Sequence, residues 1–381
     1  MNIEAQIENI SYSPLVCSSL RHISLEEFKS GRAFKRGSIL LEYGDTKSFA
    51  VSRWTSPKRT RTYPYHRIYD TLPHDNRVTI IPFAKDEGTR GDHDYLQWDS
   101  VSLMSLLKVY VIPAYYKTAR KNVKESGKIT DQEFDYDYIL ERLEALASRN
   151  QSDPVHWNMN EVQQQIVFVA EKTKECYERI SAETGVALHS FKEFDARVQE
   201  MKKDILNFRT YSRANAQAAR AREQVTHHAA ERTSGEKSSL TIKNFIGGYY
   251  YWTVDESSMV GDKLLLVEKK NSDKSRLPSM SDIKDALLKM VLFTNLTNVV
   301  VEGKQYSPFP VVGLTSNVLQ GYCHSEMDEA GLEKFFTDNN FRPRPRTLIR
   351  KVFQESRTNH FFVYFASSVI TTEQILEELP K

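Results

Sequence analysis

The segment Tyr249–Asn271, YYYWTVDESSMVGDKLLLVEKKN, constrains the fold more than any other stretch of the chain. Gly261-Asp262 is a two-residue turn signal between two apolar segments, and such a turn fixes the register of a β-hairpin. With the turn centred there, Val260 opposes Lys263, Ser258 opposes Leu265 and Asp255 opposes Glu268. Residues opposed across an antiparallel pair share a face, and alternation adds Lys270 to it. Glu268 follows four consecutive apolar residues, Leu264–Val267, so these charges stand at the end of a strand expected to be buried on both faces. A helix pattern (SMSDIKDALLKMVLF) and a further apolar strand (Val299–Val301) come next.

The rest of the chain extends this to a mixed α/β (α+β) protein in three regions. Residues 1–125 are biased to strands, in GSILLEY (38–44), KSFAVSRW (47–54), RVTIIPF (77–83) and KVYVIPAYY (108–116), with helical spacing in DSVSLMSLL (99–107). Residues 126–235 are expected to be helical, with i, i+3, i+4 apolar recurrence over 131–148, 160–185 and 190–224. RNQSDP (149–154) and TSGEKSS (233–239) interrupt the pattern, and residues 236–381 return to α/β. A length of 381 residues with 40% hydrophobic and 11% aromatic residues supports two domains, or one with a large insertion, and excludes global disorder.

The hairpin brings together chemistry as well as register. Two carboxylates so placed can hold a hard divalent cation, which takes oxygen ligands and bridges phosphate. A lysine two residues beyond the second acid can fix an attacking water and offset charge developing on phosphorus. The pattern Asp255-x12-Glu268-x-Lys270, followed by a helix and a strand, resembles the PD-(D/E)xK nuclease superfamily. LLLVEKKNS followed by LPSMSDIKDALLKM is similar to the type II restriction endonucleases in particular. The resemblance spans residues 249–303 of 381. It implies a restriction-endonuclease-like core, a mixed sheet flanked by helices, over residues 236–381. It further implies Asp255 and Glu268 as Mg²⁺ ligands, Lys270 as the catalytic lysine, double-stranded DNA as substrate and a possible cognate DNA methyltransferase. Val254 stands where the family has a proline before the first acid, and Glu256 is a second candidate for that acid, although alternation points it to the other face.

Other polar residues have plainer expectations. Ser279 and Asp282 form a capping box, and Asp282, Asp285 and Lys289 a solvated stripe opposite Ile283, Leu287 and Val291. Arg209, Arg213, Gln217 and Arg220 fall on one face of a helix, suited to phosphates and base edges or to solvent. RWTSPKRTRTYPYHR (53–67) and the extended basic turn FRPRPR (341–346) mix cations with aromatics and suit backbone contacts. KDEGTRGDHD (85–94) is a rival acidic cluster with the composition of a solvated turn, and His227-His228 lacks ligand spacing. Asp70 to Lys85 echoes the spacing of Asp255 to Lys270, which chance accounts for.

Bulk properties restrict the remaining choices. With 52 basic against 50 acidic residues, overall charge argues neither for nor against nucleic acid. No stretch approaches the roughly 20 apolar residues of a membrane span, and the first residues, with two glutamates and no basic leader, do not read as a secretory signal. Cys17, Cys176 and Cys323 are far apart, which fits a reducing cytoplasm. The expectation is therefore a cytoplasmic, Mg²⁺-dependent, site-specific DNA endonuclease. A palindromic target is most simply matched by a C2 homodimer, for which the helical region, including Ile166-Val167-Phe168-Val169, offers apolar surface. The alternatives are a repair or phage-defence nuclease of the same superfamily, and a DNA-binding or assembly protein whose Glu-Lys strand is structural.

Overall fold

The computed structural model describes residues 1–31, 37–44, 47–57, 64–148, 153–190, 195, 236–244, 248–368 and 374–375. In chain order the strands are β1 (Asn2–Ile7), β2 (Arg21–Ile23), β3 (Ile39–Tyr43), β4 (Lys47–Arg53), β5 (Arg77–Pro82), β6 (Ala84–Asp86), β7 (His93–Tyr95), β8 (Tyr110–Ala114), β9 (Tyr116–Lys121) and β10 (Ile129–Phe134). They continue with β11 (Glu236–Asn244), β12 (Tyr249–Val260), β13 (Lys263–Ser272), β14 (Thr297–Val301), β15 (Lys304–Ser316), β16 (Tyr322–His324) and β17 (Phe362–Ala366). The helices are α1 (Leu25–Lys29), α2 (Pro64–Thr71), α3 (Trp98–Leu106), α4 (Tyr136–Ser148), α5 (Pro154–Thr184), α6 (Met280–Phe293), α7 (Glu329–Asp338) and α8 (Pro343–Asn359).

Contacts divide the chain into unit 1, residues 1–18 with 217–381, and unit 2, residues 19–216. This corrects the expected boundaries at 125 and 235. Alternation of Ile3, Ala5 and Ile7 gives β1 one buried face, and its partners belong to the far end of the chain. It runs parallel to β11, with Asn2 opposite Ser239, and antiparallel to β14, with Ile3 opposite Val301. Neither β1 nor β11 was expected from the sequence.

In unit 1 the sheet order is β13-β12-β11-β1-β14-β15-β17-β16, and β13 also pairs with β15. Six strands thus close on themselves, while β17 and β16 continue from β15. The mixed α/β class holds, but this closure departs from the simple mixed sheet flanked by helices that the sequence suggested. β13 lies parallel to β15, with Glu268 opposite Val312 and Lys270 opposite Leu314. One face of β13 packs Leu265 and Val267 into a cluster with Val311, Phe362 and Tyr364. Helix α6 covers the other face and buries ten of its 14 residues, so each large apolar side chain there contributes roughly 1.5–3 kcal/mol of burial. FRPRPR is not an extended turn. Arg342 is the N-cap of α8 and Pro343 and Pro345 occupy its first turn, where a missing N–H removes no helical bond.

Unit 2 is built on a separate five-stranded sheet, β2-β3-β4-β5-β8, in which only β3 and β4 are antiparallel neighbours. The expected helical region is not a separate body, since α4 packs on β8 and α5 packs on β8 and β9. Asp153 caps α5 by accepting the Val155 N–H at 3.2 Å, and Arg142 of α4 joins Glu161 of α5 through two bonds of 2.7 and 2.8 Å. Ile166 and Val169 are buried within this unit, so half of the apolar run expected at a dimer interface serves its own core, while Phe168 is exposed. Residues 131–134, expected to open a helix, end strand β10 instead. Trp54 and Tyr65, expected among backbone contacts, are buried with their rings edge to face at 6.1 Å. Asp70 sits on α2 rather than on a strand, so the echo of the hairpin is not a structural repeat. Among the described residues no helix is long and apolar enough to cross a membrane.

Candidate active site

Gly261 takes φ +62°, a value that glycine adopts without strain and that the first central position of this tight turn requires. The hairpin then runs in the expected register, with Val260 opposite Lys263, Ser258 opposite Leu265 and Glu256 opposite Val267. Continuing that register sets Asp255 beside Glu268. The Lys269 N–H donates to Asp255 Oδ2 at 2.8 Å. Glu256 points the other way, where its carboxylate forms a buried ion pair with Lys269. Of the two candidates for the first acid, Asp255 is the one that shares a face with Glu268.

Helix α6 completes the group from above. Asp285 and Lys289, four residues apart and so on one helical stripe, both reach down onto the hairpin. Lys289 Nζ donates to Glu268 Oε2 at 2.6 Å and lies 5.6 Å from the centre of the Trp252 ring, within cation–π range. Lys270 Nζ is 3.0 Å from Glu268 Oε1 and donates to Asp285 Oδ2 at 2.8 Å. Two carboxylates, Glu268 and Asp285, and two ammonium groups are therefore interlocked, with Glu268, only 1% exposed, at the centre and Asp255 beside it.

The electrostatics separate the two hairpin acids. Burial pushes the Glu268 carboxyl up, but Lys289 and Lys270 outweigh it and hold the group below its ordinary range. Asp255 has no such pair of cations in contact. Burial first, and the neighbouring Glu268 charge second, push it up to about 7. Burial lowers the Lys270 and Lys289 ammonium groups, yet Glu268 and the other carboxylates more than reverse this, so both stay charged.

Asp285, Lys289 and Trp252 were not expected here. Asp285 and Lys289 had been assigned to a solvated stripe, but on a helix buried nearly all round a polar stripe faces other protein. Ser279 is the N-cap as expected, accepting the Asp282 N–H at 3.2 Å, while its hydroxyl, in place of the reciprocal backbone bond of a capping box, donates to Asp282 Oδ2 at 2.6 Å. Lys284 instead donates to Ser18 at 2.6 Å. Just beyond the end of β13 a pocket of about 670 Å³ is lined by Lys274, Arg276, Asn340 and Arg342. This gathers three cations, one of them from FRPRPR. Arg209, Arg213, Gln217 and Arg220 lie outside the described residues. No protein-family model, no curated protein and no solved structure matches the chain.

Proposed function

We propose that this chain is a Mg²⁺-dependent endonuclease that hydrolyses DNA phosphodiester bonds, of the restriction-enzyme type its hairpin resembles. The observation that carries this reading is the convergence of Asp255, Glu268 and Lys270 on one face of β12 and β13, beneath α6. The finer assignment to a restriction-endonuclease-like core rests on that hairpin, the helix after it and the parallel pairing of β13 with β15. The donor set suits the cation, since Asp255 and Glu268 offer hard carboxylate oxygens and the carboxylates outnumber the lysines. Mg²⁺ held by these two acids would supply a Lewis acid and a more acidic water. Lys270, fixed between Glu268 and Asp285, would orient the water and offset charge developing on phosphorus. Lys289 neutralises Glu268 and has to yield Oε2 for the carboxylate to act as a ligand. Lys274, Arg276 and Arg342 would meet the phosphate backbone.

A second reading, a DNA-binding or assembly protein with no cleavage, is favoured by the same ion pairs, because lysines already satisfy Glu268. Incubation of supercoiled plasmid with Mg²⁺ or with EDTA separates the cases. Discrete Mg²⁺-dependent fragments are expected of a site-specific enzyme, which for a palindromic target would act as a homodimer beside a cognate methyltransferase. A smear indicates a repair or defence nuclease of the same superfamily. Retarded but intact DNA overturns the nuclease reading.

A further inference from the structure

Unit 2 contains another buried carboxylate, in the stretch that reads as a solvated turn. Residues 84–95 form the β6–β7 hairpin, with Asp86 opposite His93, and the Asp86 side chain is only 1% exposed. Asp86 Oδ1 accepts the Gly88 N–H at 2.8 Å and lies 2.9 Å from His189 Nδ1, while Oδ2 accepts the His189 N–H at 2.9 Å. His93 Nε2 lies 4.0 Å from Oδ2. The two imidazoles are stacked, with centroids 4.8 Å apart and planes 17° from parallel. One donor atom from each of the three residues falls within 4.8 Å of the others. The backbone at Asp86 is anchored as well: its N–H donates to Tyr177 Oη at 2.9 Å and its carbonyl accepts from Gln132 Nε2 at 2.7 Å.

We propose that Asp86, His93 and His189 bind a first-row divalent cation of borderline softness, with Zn²⁺ as the representative ion. Two imidazoles and one carboxylate are the donor set such ions take, whereas Mg²⁺ and Ca²⁺ favour oxygen alone. The ion-pair partners of Asp86 among the described residues are these two histidines and no lysine or arginine, so its negative charge is available to a cation. Bonds of about 2 Å put tetrahedral donors roughly 3.3 Å apart, so binding draws His93 Nε2 in from 4.0 Å and widens the 2.9 Å contact between His189 and Asp86 slightly. Asp86 is held by its bonds, and His93, 17% exposed with Nδ1 3.4 Å from Tyr95 Oη, is the donor that would swing towards it. Three protein donors leave one position for water or a substrate atom. The ion would also join the hairpin to the segment after α5, which touches it already through the Thr89 N–H to Ala187 carbonyl bond of 3.0 Å.

The test uses the full-length protein stripped of metal by a chelator and titrated with ZnCl₂. One equivalent should bind and raise the unfolding temperature by several degrees. His93→Ala and His189→Ala should each weaken binding by more than about tenfold, since losing even an outer-shell partner costs 10- to 100-fold. His227→Ala/His228→Ala should bind as wild type. Because a variant can fail for reasons of folding, a second measurement uses the wild type alone: Zn²⁺ should protect His93 and His189, among the ten histidines, from acylation by diethyl pyrocarbonate. No stoichiometric binding, wild-type affinity in both single variants, loss in the His227/His228 variant, or protection elsewhere only would each overturn the site.

Discussion

Glu268 in unit 1 and Asp86 in unit 2 are both carboxylates with 1% of the side chain exposed, and the two units compensate that burial by opposite means. Glu268 is met by two full positive charges, Lys270 and Lys289. Asp86 is met by backbone N–H groups and imidazole nitrogens. An ionised carboxylate cannot be removed from water without one or the other. The choice decides what the site can still do. Ammonium groups satisfy the charge and compete with any incoming cation, while backbone N–H groups orient the carboxylate without bringing a full charge of their own. In unit 1 the proposed Mg²⁺ would instead have to take the place of the Asp255 proton.

The largest expected effect tests this contrast directly. Glu268→Ala should abolish cleavage and cost about 3–5 kcal/mol of stability in urea titrations, because it takes from Lys289 its ion-pair partner and leaves Lys270 with Asp285 alone. Asp86→Ala strands two backbone N–H groups and an imidazole but no ammonium group, and should cost about 1–3 kcal/mol. Equal costs would break the comparison. Next, Asp255→Asn should abolish cleavage yet stabilise the metal-free protein at pH 8, by about 1–3 kcal/mol. The Asp255 carboxyl is raised from 3.8 to about 7, so the folded state holds its proton more tightly than the unfolded chain does. That contribution is complete below pH 4 and is lost as pH rises to about 7, so the gain from asparagine should vanish near pH 4 in thermal melts. A destabilised asparagine variant at pH 8 would contradict the assignment.

Smaller effects sharpen the same picture. Mg²⁺ has to displace the Asp255 proton, so its apparent affinity should fall by close to tenfold per unit as pH drops below about 7. Calorimetry across pH 6 to 8 would measure this, and a flat profile would remove Asp255 from the ligand set. Lys274→Ala and Arg276→Ala should weaken DNA binding modestly, each reducing the log–log salt slope by roughly one. An unchanged slope would exclude the pocket from the DNA contact.

How legible these sites are in the sequence follows from how local their determinants are. Asp255, Glu268 and Lys270 can be placed because a two-residue turn fixes their register, and only short-range pairing is involved. Asp285 and Lys289 approach from a helix whose polar stripe looks the same in sequence whether water or a hairpin lies beneath it. The clue is that α6 has apolar residues on nearly every side, which leaves no solvated face. Asp86 and His189 are 103 residues apart, and no spacing rule joins them. β1 is a different case. Its alternation is plain in the sequence, but its partners at Ser239 and Val301 give no local sign, which is why the N-terminal region was grouped with the wrong neighbours.

The position of β1 has a consequence for the order of events during synthesis. All of unit 2 lies in the uninterrupted stretch 19–216, so every contact it needs has emerged before residue 236 is made. The ring of unit 1 is different, because β1 leaves the ribosome ahead of unit 2 and meets β14 only once residues 297–301 have followed. At about 5–20 residues per second that interval is tens of seconds. During it the apolar face of Ile3, Ala5 and Ile7 has no native partner, and the β12–β13 hairpin cannot be held in its ring. The inserted unit therefore folds first, and the candidate active site is assembled among the last parts of the molecule.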